Sequence, residues 1–151
     1  MVATMSDRKE PLTVLLVEDS AADIMLMEEV IADYGIDVNL HVVTDGVAAI
    51  DYLKQHGEYS DAPRPNLVIL DLNLPKKHGL EVLAEIKDDH SLKQIPVLVM
   101  STSSSPQDVV RSYQLHANCF VRKPHDLETF SRVVKAIDHY WLEIATLPPN
   151  E

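Results

Sequence analysis

The chain has 151 residues, of which 46% are hydrophobic and 25% charged, and its formal net charge is −11. That length suits one domain around one hydrophobic core, and the mix is ordinary for a globular protein. The charge argues against nucleic acid as a direct ligand, because phosphate backbones attract basic surfaces; no apolar run is long enough to cross a bilayer, and the lone Cys119 cannot form an internal disulfide, which agrees with a reducing, cytoplasmic setting.

In chain order, residues 1–10 mix Ser6, Asp7, Arg8, Lys9 and Glu10 without an apolar signal segment and are expected to be flexible. Leu12–Val17 is an apolar run of strand length, closed by Glu18-Asp19. Ser20 followed by Asp23 predicts a capping box, and Ile24, Met27, Ile31 and Tyr34 recur at helical spacing until Gly35 stops the helix. Val38–Val43 alternates apolar and polar residues and suits an edge strand. A second helix is expected over about Val47 to Lys54, then a loop, His56–Asn66, that is long for its position. Leu67–Leu70 is a buried-type strand ending at Asp71, and Leu80, Leu83 and Ile86 mark a third helix from about Leu80 to Lys87. Val97–Met100 is the fourth strand. Ser105, Pro106 and Asp108 supply cap, first-turn proline and box partner for the fourth helix. Cys119–Val121 is the fifth strand, with Cys119 expected to be a buried, inert thiol. Asp126 caps a fifth helix with the stripe Phe130, Val133, Ile137, Tyr140 and Ile144. The tail 147–151, with Pro148 and Pro149, cannot continue it.

Strand–helix alternation five times over predicts an α/β fold, a doubly wound, five-stranded parallel sheet with five helices in the flavodoxin-like (CheY-like) order 2-1-3-4-5. The domain then spans residues 11–146. Such sheets bind ligands beyond the C-terminal ends of their strands. Here those ends hold Glu18 and Asp19, Asp71, Ser101 and Thr102, and Lys123. Clustered carboxylates repel one another unless a cation lies between them, and oxygen donors favour Mg²⁺. Asp71 can be the nucleophile of an acyl phosphate, Lys123 can neutralise a phosphoryl group as a point charge, and Ser101 can hydrogen-bond its oxygens. Each residue alone has an ordinary explanation: helix-terminal acids, a turn aspartate, a surface lysine, a capping hydroxyl. Their joint placement at successive strand ends does not. The seven histidines show no metal-ligand spacing, and His78 reads as a solvated loop residue.

The motifs V-L-L-V-E-D-S, L-V-I-L-D-L-N-L-P-K-K-H-G, I-P-V-L-V-M-S-T-S and C-F-V-R-K-P resemble the receiver domain of two-component response regulators, over roughly Leu12 to Trp141. The resemblance implies that Asp71 is phosphorylated by a histidine kinase. It implies that Glu18, Asp19, Asp71 and the backbone carbonyl of Asn73 hold Mg²⁺, for which Mn²⁺ can substitute. It further implies that Lys123 and Ser101, with Thr102 beside it, contact the phosphoryl group, that Ser101 and Phe120 form a switch, and that Pro124 follows a cis bond. Thr102 stands where the family usually has Ala or Gly, and Phe120 where Tyr is commoner. The loop with G-E-Y, S-Y-Q-L-H-A-N-C-F and Y-W-L-E-I-A-T-L-P resemble the small regulators that pair with phytochrome-type histidine kinases. Such a relation implies a red-light sensor kinase as partner, homodimerisation near helix four, strand five and helix five, output by protein–protein contact, and no enzymatic turnover beyond the protein's own phosphorylation and dephosphorylation. Rival readings are an aspartyl-phosphate phosphatase, a flavin-binding electron carrier and a scaffold that is no longer phosphorylated. The first wants a second acid where Asn73 stands, and the second would find its phosphate repelled by Glu18 and Asp19.

Overall fold

The computed structural model describes residues 11–103 and 105–149; the expected flexible segment 1–10 and the last two residues of the tail lie outside the described residues. Five strands alternate with five helices: β1 (Leu12–Val17), α1 (Ala21–Asp33), β2 (Val38–Val43), α2 (Gly46–Lys54), β3 (Leu67–Leu70), α3 (Gly79–Asp88), β4 (Val97–Ser101), α4 (Pro106–Gln114), β5 (Cys119–Arg122) and α5 (Leu127–Ile137). All strands pair in parallel, in the order β2-β1-β3-β4-β5. The expected architecture and strand order are therefore the observed ones, and element ends agree within a residue or two.

Successive strand residues point to opposite faces. In β1, β3 and β4 both parities are apolar, so both faces must be covered. Leu15, Val17, Val68, Leu70, Val97 and Val99 enter one core with α2 and α3. Val14, Leu16, Leu67, Ile69, Leu98 and Met100 enter the other with α1 and α5. β2, with its polar Asn39 and half-buried His41, lies at one edge as its alternation predicts.

Several ends follow their chemistry. Gly35 adopts φ +59°, and the Ile36 N–H donates to the Ile31 carbonyl at 3.0 Å, which closes α1. Asp45 caps α2 by accepting from the Ala48 N–H at 2.7 Å, and Asp126 caps α5 by accepting from the Thr129 N–H at 2.7 Å. The long loop after α2 contains a single 3₁₀ turn, Gly57–Tyr59, and the Tyr59 ring packs 5.5 Å from that of Tyr52.

Three expectations are corrected. Ser105 precedes α4 and Pro106 opens it, but the Ser105 side chain makes no capping bond, and Asp108 instead accepts from the Ser103 hydroxyl. The stripe of the fifth helix fails at Tyr140 and Ile144, which are exposed. After Ile137 the chain widens into a π-helical segment, Asp138–Ile144, closed by the Ala145 N–H donating to the Tyr140 carbonyl five residues back. The wider turn rotates Leu142 into the core in their place. Cys119 is half-buried rather than enclosed, though burial still pushes its thiol pKa up. The tail does leave the helix, and Pro148 and Pro149 lie beside Pro65, Asn66, Ile95 and Pro96 at the opposite end of the sheet from Asp71.

Candidate functional site

Parallel pairing brings the strand C-termini to one edge. Val17 is in register with Leu70, and Ser101 with Arg122, so Glu18, Asp71, Ser101 and Lys123 follow side by side. Backbone bonds continue the register past the strand ends: the Asp71 N–H donates to the Val17 carbonyl at 3.0 Å, and the Lys123 N–H to the Ser101 carbonyl at 2.8 Å. The edge lies where β1 has β2 on one side and β3 on the other, the point at which the connections reverse direction.

Carboxylate oxygens of Glu18, Asp19 and Asp71 all lie within 4.8 Å of one another. Glu18 and Asp71 are buried, and Asp19 is exposed at the mouth. The Lys123 ammonium is also buried; it donates to Glu18 Oε1 at 2.6 Å and to Asp23 Oδ2 at 2.9 Å, and sits 3.8 Å from Asp71 Oδ2. Three carboxylates thus face one ammonium. Burial pushes the Glu18 carboxyl above its usual 4.5; the nearby Asp71 charge adds to this, while the bonds from Lys123 and the Ser20 N–H oppose it. Burial by itself would lower the Lys123 pKa, but the bonds to Glu18 and Asp23 and the charges of Asp71 and Glu18 outweigh it and hold the group above 10.5.

Asp71 Oδ1 is buried and has no hydrogen-bond partner among the described residues. An oxyanion shielded from water and left without a donor is costly. A hard divalent cation among three carboxylates remedies it, and the all-oxygen donor set fits Mg²⁺ or Mn²⁺. Asn73 is exposed one residue beyond Leu72, on the loop that leads to α3. That loop is held from two sides. A Cβ on Gly79 would collide with the Asp71 carbonyl and Leu72 Cα, and one on Gly46 with the Lys77 carbonyl and Cβ. The Gly46 N–H also donates to the Pro75 carbonyl at 3.3 Å.

On the other flank Ser101 is fully buried, and its Oγ accepts from the Ser103 N–H at 3.2 Å, whereas Thr102 is exposed. Phe120 is half-buried against the α2–α3 core, and its N–H donates to the Tyr113 hydroxyl of α4 at 3.1 Å. The expected cis bond before Pro124 is corrected: no peptide among the described residues is cis, and Lys123–Pro124 takes the trans form that X–Pro bonds favour by roughly 0.5–1 kcal/mol.

Asp23, which the sequence pattern places in a capping box, also belongs to the site. Half of that box exists, since Ser20 Oγ accepts from the Asp23 N–H at 3.3 Å. The Asp23 carboxylate instead turns to Lys123, and Glu18 Oε2 takes the Ser20 N–H at 3.1 Å. The available signal was its place in the first turn of α1, directly after the Glu18-Asp19 pair that follows β1.

The chain matches the response regulator receiver domain family over residues 14–135. It is 51% identical over 145 residues to the response regulator Rcp1 of Synechocystis sp., covering 95% of this chain and 99% of that one. The crystal structure of the Mn²⁺-bound form of Rcp1 superposes with a TM-score of 0.88, covering 92% of this chain and 100% of that one. The crystal structure of the phosphorylated cyanobacterial phytochrome response regulator RcpA, 49% identical, also gives 0.88, covering 92% and 99%. With the parallel sheet, the acidic pocket and the buried lysine already in place, the chain belongs to the response regulator receiver domain family, whose members signal by phosphorylation.

Proposed function

We propose that Asp71 accepts a phosphoryl group from a phosphohistidine of a sensor kinase of the phytochrome type, within a receiver unit spanning residues 11–146, and that the chain signals by protein–protein contact in the cytoplasm. The observation that carries this reading is the state of Asp71: buried, its Oδ1 without a donor, ringed by Glu18 and Asp19, and 3.8 Å from the Lys123 ammonium. The Mn²⁺ in the Rcp1 structure and the phosphorylated state of RcpA support the same assignment.

In the transfer, an Asp71 carboxylate oxygen forms a bond to phosphorus as the P–N bond of the phosphohistidine breaks, and the imidazole keeps the electron pair. Glu18, Asp19, Asp71 and the backbone carbonyl of Asn73 would hold Mg²⁺, or Mn²⁺ in its place, which when bound would supply positive charge to offset that of the transferring group. Lys123 pairs with a phosphoryl oxygen. Ser101 turns its hydroxyl to another, giving up its bond to the Ser103 N–H, with the exposed Thr102 beside it as a second hydroxyl. Phe120 then moves into the space beside Ser101, which shifts the face formed by α4, β5 and α5. α4 carries the exposed Val110 and Tyr113 and α5 the exposed Leu127, with the exposed Tyr140 on the π-helical segment beyond, and these are the apolar groups that a homodimer through that face would cover. The protein is a phosphoacceptor switch, and turnover of external substrates is not its role.

Intact-mass measurement after incubation with acetyl phosphate tests the reading. A single phosphoryl adduct that requires Mg²⁺ and is absent in Asp71→Asn is expected. No adduct on the unaltered chain would overturn it. Sedimentation of both states at equal concentration tests the dimer, and monomers in both would refute that part.

A further inference from the structure

We infer that Asp23 is a positioning residue for Lys123: its carboxylate holds the ammonium on the α1 side of the site, short of Asp71, and competes for it with a phosphoryl group on Asp71. The inference rests on the reading of Asp71 as phosphoacceptor and adds a residue to that reaction.

The geometry is specific. Lys123 Nζ is 2.9 Å from Asp23 Oδ2 and 3.8 Å from Asp71 Oδ2, so its short contacts go to Asp23 and Glu18 and not to the acceptor. An ammonium has three donors, and two are taken by charged partners in a buried setting where such bonds are strong. Lys123 joins its partners from 100 and 105 residues away in sequence, so the pair is a tertiary feature and not a helix-surface accident. Glu18 belongs to the acid pocket in any state. Asp23 does not: its carboxylate oxygens are absent from the cluster that can share one cation. Its side chain is partly open to solvent, at 27% exposure, while that of Lys123 is 7% exposed. The carboxylate can therefore be rehydrated when the ammonium leaves, which makes it the easier of the two bonds to break. Helix capping does not explain its placement either, since the Ser20 hydroxyl caps α1 through the Asp23 backbone and leaves the carboxylate free for Lys123.

If Asp23 competes with the phosphoryl group for one ammonium, removing its charge frees Lys123 for Asp71. Asp23→Asn keeps the shape and the cap. It is expected to raise the rate of phosphorylation by acetyl phosphate, at saturating Mg²⁺, by about threefold to tenfold, the scale of one charge-assisted hydrogen bond partly exposed to water. Asp23→Glu, which keeps the charge, should stay within twofold of the unaltered chain. Because the effect runs through the lysine, Asp23→Asn should make no difference in a Lys123→Gln background. Rates are read by intact mass, with Asp71→Asn as the blank. An Asp23→Asn rate equal to or below that of the unaltered chain overturns the inference, as does an enhancement that persists with Lys123→Gln. In both cases a normal Mg²⁺-dependent adduct on the unaltered chain leaves the phosphoacceptor reading standing, whereas absence of that adduct removes both.

Discussion

At the scale of single residues, the site is strained electrostatically. Glu18 is held above its ordinary pKa by burial, so the folded chain binds its proton more tightly than the unfolded chain does. The contribution of this group to stability is therefore present below about pH 4.5, the unfolded value, and lost as pH rises through the higher folded one. Once pH has passed that folded value, the metal-free protein carries the cost of a buried carboxylate. Glu18→Gln should raise the melting temperature in the presence of a chelator at pH 7 and weaken Mg²⁺ binding, seen as a smaller stabilisation on adding the ion. Equal or lower stability of the chelated variant would contradict the assignment. Lys123 has the same sign at the other end of the scale. Its folded pKa is raised, so its contribution holds below 10.5 and fades as pH climbs through the folded value. A melting curve that falls faster above pH 10 in the unaltered chain than in Lys123→Gln is expected.

At the scale of elements, the loop between β3 and α3 is positioned by backbone approach more than by side chains. Gly79 lets that loop close onto Asp71 and Leu72, and Gly46 lets its Lys77 lie against the start of α2. Gly46→Ala would force the loop off α2, since the obstruction includes the Lys77 backbone carbonyl, which cannot swing away as a flexible side chain would. It should cost about 1–3 kcal/mol in denaturant titrations and, if the proposed Asn73 carbonyl is a ligand, weaken Mg²⁺ binding by displacing that loop. Asp45→Ala, one residue earlier, removes the α2 cap and should cost about 0.5–2 kcal/mol. Asp45 also pairs with the exposed Lys76 of that loop at 3.6 Å, a weak surface contact, so the cap variant should still leave Mg²⁺ affinity much nearer that of the unaltered chain.

At the scale of the molecule, two cores flank one sheet, and they are not equivalent. Leu83 and Ile86 of α3 are fully buried against β3 and β4, in the core beneath Asp71 and Phe120. The other core joins α1 to α5 and is extended by Leu142 from the π-helical segment, with Lys135 lying 4.2 Å over the Tyr34 ring. Leu83→Ala should destabilise the fold by about 2–5 kcal/mol, lowering the denaturant midpoint with little change in slope. Leu142→Ala falls in the same range only if the π-helical segment is part of the cooperative unit. A separate, earlier transition in that variant would show that it is not.

Local patterns were enough to locate all five strands, all five helices and their order, because runs such as Leu67–Leu70 are apolar on both parities and can be satisfied only between two helical layers. They were enough, too, to bring Glu18, Asp19, Asp71, Ser101 and Lys123 to one edge, since parallel strands align their C-terminal ends whatever their separation in sequence. What local pattern could not carry was any choice between partners. Asp23 satisfies a capping box on paper, and its carboxylate goes to an ammonium 100 residues away because that ammonium is buried and needs the charge more than a solvated helix end does. Tyr140 and Ile144 fit the helical period, but a widened turn exchanges them for Leu142, a change of pitch that side-chain spacing does not encode. The trans bond at Pro124 and the crowding at Gly46 likewise depend on which surface lies opposite. Periodicity sets which face of an element is apolar; only the packed molecule sets which atom each polar group meets, because that contest is decided by burial and distance across the fold.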